Sequence, residues 1–297
     1  MLGRPNSLVK YCASFSTALN WQDFGSDHTY RLVILVYSTK KHPLVAADPF
    51  NCKIPIRNGK QMGDYTKMSA HYDTIMTSGY YDYQAIVDGL LNHHPFENVL
   101  EIGCGTGLIL EEIAKREPTA NIRGIDLTQS MLDIAQKRLE PYPNIQLSQQ
   151  NITELSLEQQ YRLAFSYGGV WYFVIDGDKE PFLVSHIYDE QANHLGLESL
   201  SKFVQSGGKL LLGIQGPHHD YEKPISNGMI YSQKIEPLEL GFTKHYYLDD
   251  KDDRVMAQTI HYRTYNFSDA KKLLSSYGFE YEDRTEKHQY FLEFNRV

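Results

Sequence analysis

One stretch constrains this chain more than any other. Val99-Leu100-Glu101-Ile102 reads as a short buried strand, and Gly103-Cys104-Gly105-Thr106-Gly107 follows it at once. Leu108, Ile109, Ile113 and Ala114 then recur at helical spacing, which predicts a helix over Leu108–Arg116. Glycine at three alternate positions lets the backbone turn tightly and approach a ligand with no Cβ in the way. The helix beyond offers free N–H groups and the positive end of its dipole. Strand, glycine loop and helix in this order define a nucleotide-type cradle.

Beyond Arg116 the strand–helix alternation repeats. Asn121–Ile125 is predicted as a second strand ending on Asp126, and Ser130–Leu139 as a helix. Ile145–Leu147, Leu163–Tyr167 and Lys209–Ile214 are predicted strands, with a helix over His194–Gln205 stopped by Gly207-Gly208. Such alternation implies a mainly parallel sheet with right-handed crossovers. Helices are expected over 64–78 and 81–93. Residues 217–265 lack a helical period, and Met229–Ile235, Lys244–Leu248 and Val255–Thr264 read as an antiparallel insertion. Ser268 is the expected N-cap of a helix over Asp269–Tyr277, and two closing strands come after it, Phe279–Asp283 and Gln289–Asn295. The fold class is therefore α/β: a Rossmann-like, seven-stranded mixed sheet with helices on both faces and an antiparallel insertion after strand five. Residues 1–61 lack this regularity beyond one strand near Arg31–Tyr37. They are expected to form an N-terminal extension, poorly ordered, with the domain proper over 62–297.

The spacing of the glycines decides between ligands. A dinucleotide fingerprint wants glycine at the first, third and sixth positions, and the sixth from Gly103 is Leu108. The pattern Glu101-x-Gly103-x-Gly105-x-Gly107 instead resembles the first motif of class I S-adenosylmethionine-dependent methyltransferases of the small-molecule type. The resemblance covers about Met62 to Val297, and its specific part runs from Glu101 to Asp126. It implies S-adenosylmethionine as cofactor, with Glu101 near the methionine end and Gly103, Gly105 and Gly107 passing beneath it. Asp126 would accept hydrogen bonds from the ribose hydroxyls, a role the same position also has in dinucleotide enzymes. Leu127 and Met131 would pack near the adenine. Asn151 and Ile152 would contact its amino group and ring, although Asn151 stands where the family commonly has an acid. Helices at the N-terminal side, bearing Tyr65 and Tyr72, would fold over the cofactor, and the 217–265 insertion resembles the family's antiparallel lids.

Ligands of open α/β sheets bind outside the carboxyl ends of the strands. This puts Tyr167, a candidate cofactor-binding residue, with Trp171 and Tyr172 after strand four, and His218 and His219 after strand five, facing the transferred methyl. Trp171 and Tyr172, with Tyr65 and Tyr72, are candidate substrate-binding residues. His218 and His219 are candidate bases, needed only where the acceptor must lose a proton. The expected reaction is methyl transfer to nitrogen or oxygen of a small metabolite. Alternatives are a non-catalytic protein that binds the same cofactor, and a nicotinamide-dependent oxidoreductase, disfavoured by Leu108.

Composition narrows the partners. The formal net charge is −8, and there is no run of basic residues to attract nucleic acid. The most apolar short run, Leu32–Val36, is far too short for a membrane span. The three cysteines, Cys12, Cys52 and Cys104, form no metal-ligand pattern, so no metal is expected. With no signal-peptide pattern at the N-terminus, these features fit a reducing, cytoplasmic setting. The 22 tyrosines, against 2 tryptophans, suit pockets that are apolar in body and polar at the rim.

Overall fold

The computed structural model describes residues 17–22, 31–36, 63, 65–91, 97–283 and 289–297. The chain divides into two compact units, Met1–Arg57 and Asn58–Val297. In the first, β1 (Thr17–Gln22) pairs antiparallel with β2 (Arg31–Val36). The rest of the expected 1–61 extension lies outside the described residues.

The second unit holds the predicted sheet. Four strands are parallel neighbours: β5 (Ile145–Gln149), β4 (Asn121–Asp126), β3 (Asn98–Ile102) and β6 (Tyr161–Ser166). β9 (Val204–Gln215) continues them in parallel, and β15 (Phe291–Arg296) and β14 (Phe279–Glu282) close the edge antiparallel. Side chains along these strands alternate between two cores, as the strand period of two requires. Val99, Leu163, Phe165 and Leu211 pack under α2 (Tyr83–Leu91), α3 (Leu108–Arg116) and α4 (Gln129–Leu139). Leu100, Ala164, Leu210 and Leu212 pack under α5 (Glu190–Ser201) and α6 (Phe267–Ser275). Helices thus cover both faces.

The sheet is larger than the seven strands expected. It has 13, because β9 runs past its neighbours and pairs with β7 (Trp171–Val174). β7 leads through β8 (Phe182–Ser185) to an antiparallel series: β13 (Asp253–Asn266), β12 (Gly241–Asp250), β11 (Ile230–Leu238) and β10 (Tyr221–Pro224). The insertion is therefore a continuation of the main sheet and recruits residues after strand four as well as after strand five. α1 (Ser69–Met76) lies against it, with Met68, Ile75 and Met76 packed among Tyr172, Val184, Tyr246, Ile260 and Tyr262.

Two boundaries differ from expectation for local reasons. α5 begins at Glu190, because the Asp189 side chain accepts from Ala192 N (2.7 Å) and caps it there. Gly207 and Gly208 sit inside β9, where Gly208 lies close to the Arg162 carbonyl and a Cβ would meet it at 2.7 Å. α6 is capped by Asn266 in place of Ser268: Asn266 Oδ1 accepts from Asp269 N at 2.9 Å.

Candidate functional site

The glycine loop is built by three different constraints. Gly103 N and Cys104 N both donate to Ile125 O, at 2.8 and 2.9 Å, which folds the loop across the end of β4. Gly103 has φ +73°, and a Cβ there would meet Gly169 Cα at 3.0 Å, so two backbone segments touch at this point. Gly105 differs: its φ is +54°, and its Cβ position opens into space bordered only by Tyr72 at 3.9 Å. That opening faces the cleft.

Asp126 stands at the carboxyl end of β4, as expected. Its Oδ2 accepts from Gly105 N and its Oδ1 from Thr128 N, both at 2.8 Å. A carboxylate has about four acceptor sites. The Gly105 and Thr128 N–H groups use two of them, and the Thr128 hydroxyl and the Leu127 N–H bond the carboxylate as well, so Asp126 is anchored in the loop while it borders the cleft. Burial raises the Asp126 pKa, against the lowering by the backbone N–H groups of Thr128 and Gly105. Leu127, Met131, Gly169 and Ile187 complete a cleft of about 550 Å³, open solvent at its mouth included. Tyr65 and Tyr72, edge to face at 6.2 Å, form its cover.

Glu101 lies deeper. It is 3% exposed, and its Oε2 is buried with no hydrogen-bond partner. Desolvation, then the neighbouring Asp126, push its pKa well up. It lines a second chamber with Tyr72, Tyr83, Gly103, Thr106, Tyr167 and Gly168. An orphaned buried carboxylate oxygen has the chemistry to receive an ammonium group, which would pair with it and return its pKa toward the carboxylate range. Together, Glu101, the open Gly105 and the Asp126 carboxylate at the cleft fit the amino-acid end and ribose of S-adenosylmethionine.

A third chamber lies toward the insertion. Tyr80, Tyr81, Tyr172, His186, Gln215, His218, Lys244, Tyr246 and Tyr262 line it, with Tyr65, Tyr72, Met76 and Gly168 at the cofactor side. Tyr72 and Gly168 border all three chambers. The phenols are linked: Tyr65 Oη lies 3.1 Å from Tyr262 Oη, which lies 2.5 Å from Tyr246 Oη. His218 Nε2 is 2.9 Å from Tyr172 Oη. Desolvation, then the nearby Lys244, lower the pKa of both His186 and His218 to about 3. An imidazole so hard to protonate is a weak proton acceptor near pH 7.

Several predicted site residues stand elsewhere. Trp171 points to the opposite face of the sheet: it is fully buried, and its indole N–H donates to Asn193 Oδ1 of α5 (2.9 Å). Neighbours alternate along β7, so Tyr172 faces the chamber and Trp171 cannot. His219 is exposed; its Nδ1 lies 3.3 Å from Pro217 O and its ring stands beside Tyr221, outside the chambers. Asn151 Oδ1 accepts from Thr153 N and Thr153 Oγ1, at 3.0 and 2.9 Å, and so caps a short turn, while Ile152 is in the core beside α5. Gly107 meets Leu139 and lines no part of the cleft; its part is to let α3 approach α4. Tyr167 lines the Glu101 chamber.

Sequence reading missed His186, Lys244, Tyr80, Tyr81, Tyr246 and Tyr262, which the fold brings together from separate elements. It also missed the tie between α1 and the loop. Thr106 Oγ1 donates to Asp73 Oδ1, and Arg138 bonds Asp73 Oδ2, both at 2.5 Å, Thr106 O (3.0 Å) and Glu111 Oε2 (2.9 Å). Lys244 carried a usable signal: it stands alone as a cation at an inward position of a strand that alternates Phe242, Lys244, Tyr246, Leu248. Among the described residues, no group of three or more His, Cys, Asp or Glu side chains could hold a metal, and no helix is long and apolar enough to cross a membrane.

Comparison with known proteins agrees with this geometry. Residues 99–187 match a family described as "Methyltransferase domain". A malonyl-[acyl-carrier protein] O-methyltransferase of Ilyobacter polytropus is 31% identical over 147 residues, covering 48% of each chain. The chain thus spans about half the length of that relative. An S-adenosylmethionine-dependent methyltransferase from Clostridium acetobutylicum superposes with a TM-score of 0.56 at 18% identity, covering 77% of this chain and 97% of its own. CalS10, an amino pentose methyltransferase from Micromonospora echinaspora, gives 0.55 at 14%, covering 76% and 96%. At such identities the structural likeness speaks for the fold. Fold, glycine loop and family match thus agree on a methyltransferase domain over residues 99–187, set in a fold shared with S-adenosylmethionine-dependent methyltransferases.

Proposed function

We propose that this protein transfers the methyl group of S-adenosylmethionine to nitrogen or oxygen of a small metabolite, in the cytoplasm. One observation carries this reading. The cradle at Gly105 and Asp126, the Glu101 chamber and the tyrosine-lined chamber meet at Tyr72 and Gly168. A cofactor with its ribose at Asp126 and its ammonium at Glu101 has its sulfonium between them, and the third chamber opens from that point. Leu127 and Met131 give the base an apolar seat. A sulfonium methyl is already activated, so alignment and exclusion of water are the protein's main contributions. Tyr65 and Tyr72 supply both by covering the cleft and closing the acceptor side. The relatives' names place the transferred methyl on the oxygen of a malonyl group in one case and on an amino sugar in another.

Titration calorimetry with S-adenosylhomocysteine and with NAD tests the cofactor. A transfer assay with isotope-labelled S-adenosylmethionine over amines, phenols and carboxylates tests the chemistry. Tight NAD binding without S-adenosylhomocysteine binding sinks the reading.

A further inference from the structure

We infer that the tyrosine-lined chamber takes a small acceptor carrying one carboxylate, and that Lys244 is the residue that pairs with it. The inference rests on the methyl-transfer reading and names the acceptor class for that same site.

Lys244 lies on β12, 1% exposed, with its side chain at the chamber wall. Its one hydrogen bond among the described residues goes to Tyr80 Oη, at 3.2 Å. Its Nζ stands 4.8 Å from the ring centre of Tyr246 and 5.8 Å from that of Tyr80. Phenol faces stabilise a cation modestly but do not neutralise it. A buried ammonium ordinarily has a carboxylate partner, because desolvation of the lone charge is costly. Here no acidic side chain lines the chamber. The groups facing Lys244 from the packed elements are neutral or cationic: Tyr80 beyond α1, His186 beyond β8, His218 beyond β9, and Tyr246 on its own strand. Lys223 adds a second positive charge on Tyr80, 5.9 Å from that ring.

The consequence is visible in the lysine itself, whose pKa desolvation lowers to about 7. Near neutral pH the chamber therefore holds an amine divided between its two forms. An anion entering beside it favours the charged form, so binding draws a proton from solution. The other polar groups point the same way. Phenols donate, and the protonated edges of neutral imidazoles and the Gln215 amide donate as well. A chamber lined by one cation and by phenol, imidazole and amide groups able to donate, without an acid, is complementary to a monoanion. A phosphate dianion would leave a charge unmatched against this single buried lysine.

The test is titration calorimetry at pH 7 with the monocarboxylates benzoate and propionate, inorganic phosphate and the neutral amide benzamide, each with and without saturating S-adenosylhomocysteine. At least one carboxylate is expected to bind, taking up a fraction of a proton from the buffer. Two buffers of different ionisation heat measure that uptake. Lys244→Met, close in volume and apolar, should keep cofactor affinity and lose carboxylate affinity by more than about tenfold, as expected for a hydrogen bond to a charged group. Lys244→Arg should restore part of it. Four results overturn the inference: neither carboxylate binds, benzamide matches benzoate, Lys244→Met binds carboxylate unchanged, or phosphate binds more tightly than both acids. Should Lys244→Met fail to fold, the benzamide comparison and the proton uptake on the unaltered protein still decide. Failure of S-adenosylhomocysteine to bind overturns the parent reading and is read separately, in the cofactor arm.

Discussion

Asp126 carries two tasks at once, and the structure separates them. Its oxygens accept from Gly105 N and Thr128 N, which shapes the loop, and the same carboxylate lines the cleft. Removing it should therefore cost twice, through the lost ribose bonds and through a loosened loop. Asp126→Ala is expected to weaken S-adenosylhomocysteine binding by about 1.5–3 kcal/mol, measured by calorimetry. Unchanged affinity would mean that the carboxylate serves the loop alone. Trp171 is the contrasting case. Its indole N–H and Ser185 Oγ both bond Asn193 Oδ1, in a fully buried knot that joins β7 and β8 to α5. Trp171→Phe keeps the ring packing and strands half of that arrangement. It should lower the unfolding free energy by about 1–3 kcal/mol in urea denaturation and leave cofactor affinity and methyl transfer unchanged. A large loss of transfer at full stability would return Trp171 to the acceptor site.

At the scale of elements, the helix that covers the cofactor is held by charge. α1 makes its apolar contacts with the insertion through Ile75 and Met76, and it meets the glycine loop through a hydrogen bond at Asp73 and through Tyr72 beside Gly105. Arg138 of α4 bridges Asp73, the Thr106 carbonyl and Glu111. These groups are about one quarter exposed, with side-chain exposures of 22%, 34% and 24% for Arg138, Asp73 and Glu111. Their coupling should then be near the upper end of the surface range, about 1 kcal/mol for the Asp73–Arg138 pair in a double-mutant cycle. Arg138→Met is expected to raise KM for S-adenosylmethionine several-fold and to make it less sensitive to salt. No change in KM would show that α1 stays closed on its apolar contacts. This pair was invisible in the sequence, since Asp73 and Arg138 stand 65 residues apart. The parts read correctly were local. The β3–loop–α3 unit and the Asp126 terminus follow from hydrophobic spacing and glycine placement within one βαβ step. Trp171 was misplaced because the stretch after strand four forms a strand of its own, Trp171–Val174, paired with β8 and, at Phe173 and Val174, with the extended end of β9. Once that strand forms, the two faces of the sheet decide that Tyr172 and not Trp171 reaches the site. His219 lies in the loop between β9 and β10, where its neighbour His218 turns into the chamber and it stays exposed beside Tyr221.

Over the whole unit, the acceptor chamber has a cost in acid that can be measured. His186 is 8% exposed and sits between the rings of Tyr172, Tyr262 and Tyr65, at 5.7, 4.8 and 5.8 Å. Its pKa is held near 3, first by desolvation and then by Lys244. In the unfolded chain the ordinary value is about 6.5. Between these values the unfolded state binds a proton that the folded state refuses, so stability falls as pH drops from 6.5 toward 3. Glu101 and Asp126 act in the opposite sense, because burial raises both and a protonated carboxyl suits their site. The net slope therefore mixes the two kinds of group, and a difference between variants isolates the histidine. From pH 6.5 to pH 5 the His186 contribution is at most about 2 kcal/mol, at 1.36 kcal/mol for each unit. His186→Gln removes the titration while keeping a polar side chain of similar reach. Urea unfolding of both proteins at pH 5 and pH 6.5 should show a smaller acid loss in the variant, by about 1–2 kcal/mol. Equal acid losses would mean that His186 takes up its proton in the folded protein, and that the chamber is wetter and less cationic than the packing of its tyrosines indicates.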